Sequence, residues 1–343
     1  MHLDIRPMVA ALGALFFIAM PAVAGEPIEL PTPQAQAELL DMLEREALYR
    51  DRVEWPAIRA RLKTAQGDPG RTRDVLREAI DRSSGGHGRW ISRQRLQSEA
   101  RRLGRSNAAV ATAPEAPVPV DLLDRRIGWM GIEGYSAAPG PAAREQMKAR
   151  AARWQAIIGD KDNGNRCGWI VDLRGNTGGN MWPMLVGAAP LLRTSANDDE
   201  DVGSFATAEG AQGWQSTASG VRLGSRAIVD LGAPGYRLKN PGAPVAVLTG
   251  PRTASSGEAT VLAFRGRPQT RSFGLPTAGM STANVVRPLV DGSSLVLTTS
   301  VMRDRNGRGD GLKIAPDRPI EGDAETVAAA QQWLLAQPAC QGS

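Results

Sequence analysis

The residues best placed to do chemistry are two serines, Ser255 and Ser256, in the stretch P-V-A-V-L-T-G-P-R-T-A-S-S-G-E-A-T-V-L-A-F-R at residues 244–265. A short apolar run, residues 245–248, reads as a buried strand bounded by Pro244 and Gly250. Pro251, Arg252 and Thr253 make the turn. A helical pattern then begins near Ser255, with Ala259, Leu262 and Ala263 at helical spacing. A hydroxyl at such a junction sits among free backbone N–H groups, at the positive end of the helix dipole. It can cap the helix, or it can serve as a nucleophile with an oxyanion site beside it. A second Gly-rich turn, R-G-N-T-G-G at residues 174–179, follows another apolar strand at residues 168–173. It lacks the lysine of a phosphate loop and the spacing of a dinucleotide fingerprint, so nucleotide binding is rejected. Its glycines, Gly178 and Gly179, can present amides to a developing negative charge or can simply supply positive φ for a tight turn.

A serine nucleophile needs a proton acceptor, usually His and sometimes Lys. The chain has two histidines, His2 and His87. His2 falls in a leader: a short, weakly basic start, an apolar core at residues 8–20, and Ala22-Val23-Ala24 before Gly25. This pattern is a secretory signal peptide cleaved after Ala24, with a core too short to span a bilayer comfortably. Any catalytic imidazole must therefore be His87, which sits in a Gly85-Gly86-His87-Gly88 turn.

These side chains have to be held by a sizeable fold, and 343 residues suffice for one or two domains. Residues 34–65 read as helical with a break at residues 51–56, and a third helix is expected at residues 72–81. An Arg-rich helical stretch follows at residues 91–103, then an Ala/Pro-rich segment at residues 107–120 with linker composition. Beyond it come a strand at residues 126–132, an amphipathic helix at 141–158, the strand at 168–173 and a helix at 181–192. Residues 194–240 are polar and Gly-rich, with no assignable element. After the Ser255 segment, short strands are expected at 269–273, 283–287 and 294–303, with Asp291-Gly292 and Asn306-Gly307 as hairpin turns. A last helix at 323–336 is expected to use Asp323 as its N-cap. Strands alternating with helices define an α/β (α+β) fold with some antiparallel pairs. The expected divisions are a signal peptide at 1–24, an N-terminal helical module carrying His87 at 25–106, a linker at 107–125, a catalytic core at 126–337 and a tail at 338–343.

Composition narrows the partners. The net charge of +5 arises from 41 basic and 36 acidic residues, interspersed without long runs of either sign. There is no basic stripe with interleaved aromatics, so nucleic acid is not expected. No stretch after the leader is long and apolar enough for a membrane span. The D-R-N-G-R-G-D sequence at 304–310 places Arg308 where a calcium loop needs a ligand, so neither metal nor other cofactor is expected. The two cysteines, Cys167 and Cys340, form one disulfide in an oxidising compartment or remain two thiols.

Several ordered motifs carry a resemblance. G-W-I-V-D-L-R-G-N-T-G-G-N, V-A-V-L-T-G-P-R-T-A-S-S-G-E-A, F-G-L-P-T-A-G-M-S-T, the D-G-S-S-L-V-L-T-T hairpin and I-A-P-D together resemble the C-terminal processing (tail-specific) serine peptidase family. The resemblance spans about residues 126–336. It implies a crotonase-like ββα core, with Ser255 as nucleophile and an oxyanion hole from the amides of Ser256 and of Gly178 or Gly179. Members of the Ser–Lys type carry a lysine where this chain has Met280, and methionine cannot accept the proton; Lys313 is a poor substitute. The branch that includes nisin-resistance protein and tricorn protease uses Ser–His instead, with the histidine in a Gly-rich turn after N-terminal helices, as at His87. The serine that usually follows that histidine is Gly88 here. The same branch has a glutamate three residues after the nucleophile, here Glu258, which orients the histidine, binds substrate or is a solvated helix residue. No PDZ domain is expected, since residues 87–126 are too few for one. The signal peptide and the resemblance together imply a secreted, periplasmic serine endopeptidase acting on extended or, by the resemblance, C-terminal peptide segments of protein substrates. The competing reading is a peptide- or ligand-binding protein on the same fold with its chemistry lost, and an acyl hydrolase using the same residues is a third. The oligomeric state is not legible.

Overall fold

A computed structural model of the chain describes residues 29–110, 123–137, 140–194 and 199–341. The expected signal peptide and most of the expected linker lie outside the described residues. The fold is built on two sheets with helices between and around them. One sheet is parallel and is assembled from β2 (Ile127–Gly131), β3 (Gly168–Asp172), β8 (Val245–Thr249), β9 (Thr270–Gly274) and the two-residue β12 (Arg318–Pro319), in the order β12-β9-β8-β3-β2. Its strands β3 and β8 are mostly apolar because both faces are covered. Ile170, Ala246, Leu248 and Phe273 face α8 (Asp323–Leu335), where they meet Val327, Ala330 and Leu334. Trp169, Val171, Val245 and Val247 face the opposite way, toward α5 (Ala143–Lys161), α6 (Met181–Leu192) and α7 (Ser256–Phe264). Burying each such side chain contributes roughly 1.5–3 kcal/mol.

The second sheet is antiparallel. It runs β1 (Arg89–Ile91), β11 (Ser294–Arg303), β4 (Glu200–Thr207), β5 (Gly210–Ser216), β6 (Gly220–Leu223) and β7 (Arg226–Asp230), with β10 (Thr282–Pro288) on the other edge of β11. Four of these strands fill the region that the sequence left unassigned. The antiparallel meander of β4 to β7 buries Val202, Trp214, Val221 and Val229 against the central core.

The N-terminal helices α1 (Pro33–Glu46), α2 (Trp55–Thr64) and α3 (Pro69–Ser84) have their own apolar cluster around Leu39, Leu43, Ile58 and Leu76. Leu289, Leu295 and Leu297 belong to that cluster too, so the helices are docked on the β10–β11 hairpin. The strand β1 fastens the end of this module: Arg89, Trp90 and Ile91 pair with Val296, Leu295 and Ser294. α4 (Arg93–Val110) continues into the start of the expected linker.

One local expectation is corrected. The N-cap of α8 is Gly322, whose φ of 86° suits a glycine. Asp323 is instead the first helical residue, and its carboxylate accepts from Arg174 Nη1 at 2.7 Å. At the far end, the expected tail contains the short α9 (Pro338–Gln341). Cys340 is disulfide-bonded to Cys167, with a Cα–Cα separation of 4.9 Å.

Candidate active site

Ser255 stands at the carboxyl end of β8, on the turn into α7. Its backbone has φ 51° and ψ −113°. A non-glycine residue there costs on the order of 1–3 kcal/mol and persists only where its surroundings over-determine it. The restraints are visible. The Ser255 N–H donates to Glu258 at 2.8 Å, the Ala254 N–H to the Asn176 carbonyl at 3.0 Å, and Ser256 Oγ to the Gly179 carbonyl at 2.8 Å. Gly257 permits this closeness, since a Cβ there would lie 2.6 Å from the Asn176 carbonyl oxygen.

Asn176, fully buried, ties the two Gly-rich turns together. Its Nδ2 donates to the Ile132 carbonyl at 3.1 Å, and its Oδ1 accepts from the Gly178 N–H at 3.0 Å. The Gly178 amide is therefore already engaged. Gly178 serves by being small, because a Cβ there would lie 3.0 Å from Ser255 Cβ. Among the described residues, the N–H groups of Gly179 and Ser256 donate to no other group.

His87 reaches the same point from the N-terminal module. α3 ends in a left-handed cap at Gly85, φ 63°, whose Cβ would also strike the Tyr49 ring at 2.7 Å. Gly86 follows with φ 81°. The chain then turns into β1, and the His87 carbonyl accepts from Asn284 Nδ2 at 3.4 Å. His87 Nε2 lies 3.1 Å from Ser255 Oγ, and Nδ1 lies 2.7 Å from Thr282 Oγ1 on β10. The sequence pointed to a missing partner for this histidine at Gly88. Gly88 has no room for a serine, since its Cβ would meet Ser84 Cβ at 2.7 Å and the Val296 carbonyl at 3.1 Å. Thr282 takes up Nδ1 instead. Burial, helped by the nearby Arg89 charge, lowers the His87 pKa to about 4.

Glu258 is fully buried and spends both oxygens on four donors, none of them His87. Oε2 accepts from the N–H groups of Ser255 and Met280, both at 2.8 Å; Oε1 accepts from Thr277 Oγ1 at 2.6 Å and the Gly279 N–H at 2.9 Å. It locks the serine turn to the T-A-G-M turn. Burial raises its pKa against the pull of these donors. Lys313 packs against Gly279, outside the lining of the cleft, and Met280 lines the cleft half-exposed. The cleft has a volume of about 1020 Å³ and opens over His87, Ser255, Ser256 and Gly179. Among the described residues no group of acidic, cysteine and histidine side chains is placed to hold a metal. Asp304 accepts instead from the Asn306 and Arg308 amides.

Sequence reasoning missed Thr282 and Asn176. Thr282 is separated from His87 by 195 positions, and only the pairing of β10 with β11 brings it near. Asn176 was inside a motif already singled out, but its side chain reads as a turn residue until its partners are known.

A seryl hydroxyl with an imidazole in hydrogen-bond range is the arrangement that serine-type peptidases use. A model described as Peptidase family S41 matches residues 127–320, more than half of the chain, and the chain belongs to that family. His87 lies outside the matched residues. The chain is 35% identical over 181 residues to the nisin-resistance protein of Lactococcus lactis subsp. lactis, an alignment covering 52% of each. It thus spans about half the length of that curated relative. Among solved structures it is similar to a lipoprotein from Streptococcus agalactiae, with TM-score 0.65 and 26% identity over 90% of this chain and 98% of that one. A photosystem II D1 C-terminal processing protease shares the fold, with TM-score 0.55 and 14% identity over 91% of this chain and 99% of that one. The resemblance read from the motifs therefore holds at the level of family and fold.

Proposed function

We propose that the chain is an endopeptidase in which Ser255 is the nucleophile and His87 its base, acting on extended or C-terminal segments of peptides and proteins. The observation that carries this reading is the 3.1 Å approach of His87 Nε2 to Ser255 Oγ inside the cleft. In the working tautomer Nδ1–H donates to Thr282 Oγ1, which leaves Nε2 to accept the seryl proton. Ser255 Oγ bonds to the peptide carbonyl carbon as its proton passes to Nε2. The carbonyl oxygen becomes an oxyanion held by the Ser256 and Gly179 N–H groups. The imidazolium then protonates the departing amine as the C–N bond breaks. Water, deprotonated by the same imidazole, releases the acyl group from Ser255 and restores the hydroxyl.

Three features support action in the cell envelope, in the periplasm after secretion. They are the A-x-A leader, the Cys167–Cys340 disulfide of an oxidising compartment and the likeness to a lipoprotein. C-terminal segments are proposed because one structural neighbour is named for processing a carboxyl terminus.

The test is labelling of the mature chain with a fluorophosphonate, beside Ser255→Ala and His87→Ala. Loss of labelling in both variants is expected. A wild-type chain that is folded yet unlabelled would overturn the reading in favour of a binding protein, and labelling retained in His87→Ala would assign the base elsewhere.

A further inference from the structure

The strand that delivers His87 carries a second side chain into the cleft. Along His87-Gly-Arg89-Trp-Ile91 the chain alternates. His87, Arg89 and Ile91 line the cleft, whereas Trp90 turns away, packs against the N-terminal cluster and donates from Nε1 to Ser293 Oγ at 2.8 Å. Arg89 is exposed and, among the described residues, forms no hydrogen bond or ion pair. It is the only cationic side chain among the described residues lining the cleft. Much of the surrounding wall is apolar, including Leu96, Trp182, Phe205 and Leu223.

An unpaired guanidinium beside a catalytic imidazole works against the reaction of the free enzyme. The imidazolium formed when Ser255 attacks would be repelled by it, and the Arg89 charge already depresses His87. An anion on Arg89 removes that repulsion and supplies a bidentate partner that the protein itself does not provide.

We propose that Arg89 binds a carboxylate of the peptide substrate and so selects which segments are presented to Ser255. The inference rests on the peptidase reading above and deepens it by assigning the residue that reads substrate charge. Two sources of carboxylate meet the same chemistry: the free end of a chain, and an Asp or Glu side chain near the cleaved bond. Arg89 is a specificity residue and takes no part in bond making.

The experiment measures binding without turnover, on Ser255→Ala. The probes are three fluorescein-labelled octapeptides of one Ala/Leu/Phe sequence. One ends in a free carboxylate, one in a carboxamide, and one in a carboxamide with Glu at the third position from the end. The peptide with a free terminus, or the one with Glu, is expected to bind about tenfold or more tighter than the plain carboxamide, the scale of a hydrogen bond to a charged group. Which of the two does so identifies the source. Adding Arg89→Gln should abolish the preference, and adding Arg89→Lys should keep part of it. Equal affinities for all three peptides, no binding of any, or a preference that survives Arg89→Gln overturns the proposal. Failure of the peptidase reading itself is seen separately, as absence of fluorophosphonate labelling in the wild type.

Discussion

His87 Nδ1 lies 2.7 Å from Thr282 Oγ1, so the third member of the proposed seryl–imidazole relay is a neutral hydroxyl. A hydroxyl fixes the tautomer and the ring orientation but brings no charge to stabilise the imidazolium. Thr282→Val should lower kcat by about tenfold to a hundredfold with little change in KM, the scale of one hydrogen bond to a charged group. Thr282→Ser should restore most of the loss. A purely structural role for Thr282 would instead lower the melting temperature in Thr282→Val without separating kcat from KM.

The pH dependence follows from the same ring. The His87 pKa is lowered from 6.5 to about 4, chiefly by burial. The imidazole is then neutral, and competent as a base, well below pH 6.5. The acid limb of kcat/KM should fall nearer pH 4 than pH 6.5, and a limb at pH 6.5 or above would contradict the buried geometry. Stability carries the same sign. A base whose pKa is depressed on folding binds fewer protons folded than unfolded between pH 4 and 6.5. The fold therefore keeps its full stability above pH 6.5 and loses it as pH falls toward 4. The loss from this residue is about 3 kcal/mol. Denaturant titrations of the wild type and His87→Gln at pH 4.5 and 7.5 check it, since the variant should lose this component of the pH dependence.

Glu258→Gln places an amide NH₂ where the carboxylate accepts N–H and O–H donors from Ser255, Thr277, Gly279 and Met280. At least one donor is left facing another donor in a dry site. A destabilisation of about 1–3 kcal/mol is expected, together with loss of fluorophosphonate labelling, because the strained Ser255 turn loses its anchor. Urea unfolding and labelling rates measure the two effects. A stable variant that labels normally would show that the turn holds itself.

Gly88→Ser tests whether the serine usual after this histidine can be restored. Its side chain would be forced against Ser84 and the Val296 carbonyl, at an expected cost of about 1–3 kcal/mol for overpacking. A lower melting temperature with no gain in kcat is the expected outcome.

The disulfide closes a loop of sequence separation 173 between β3 and the C-terminal turn. Cys340→Ser should lower stability by about 2–5 kcal/mol, read as a drop in denaturation midpoint that a reductant reproduces in the wild type but not in the variant.

The parallel sheet and its two Gly-rich turns were legible because burial on both faces writes itself as continuous apolar runs, such as residues 168–173 and 245–248, each closed by glycine. The meander at residues 200–230 was not. Its strands are rich in Gly, Ser and Gln, and only isolated residues such as Trp214 and Val221 reach the core. β1 has three residues, too few for any period to show. Ser255 and His87 could be named because few side chains can supply a nucleophile and a base, and the chain has only one histidine beyond the expected signal peptide. The hydrogen bonds that assign Thr282 to His87, and that engage Gly178 while leaving Gly179, depend on pairings across long stretches of chain. No local pattern encodes them.

The clamp of β1 on β11 also sets an order of events. A chain emerging from its amino terminus exposes His87 early and Ser255 later, but the partner strand that seats His87 lies later still, at Ser294–Arg303. Until that strand has been made and has folded, both side chains exist without being neighbours. The Ser255–His87 pair is thereby withheld from the nascent polypeptide and from any fragment cut short before β11.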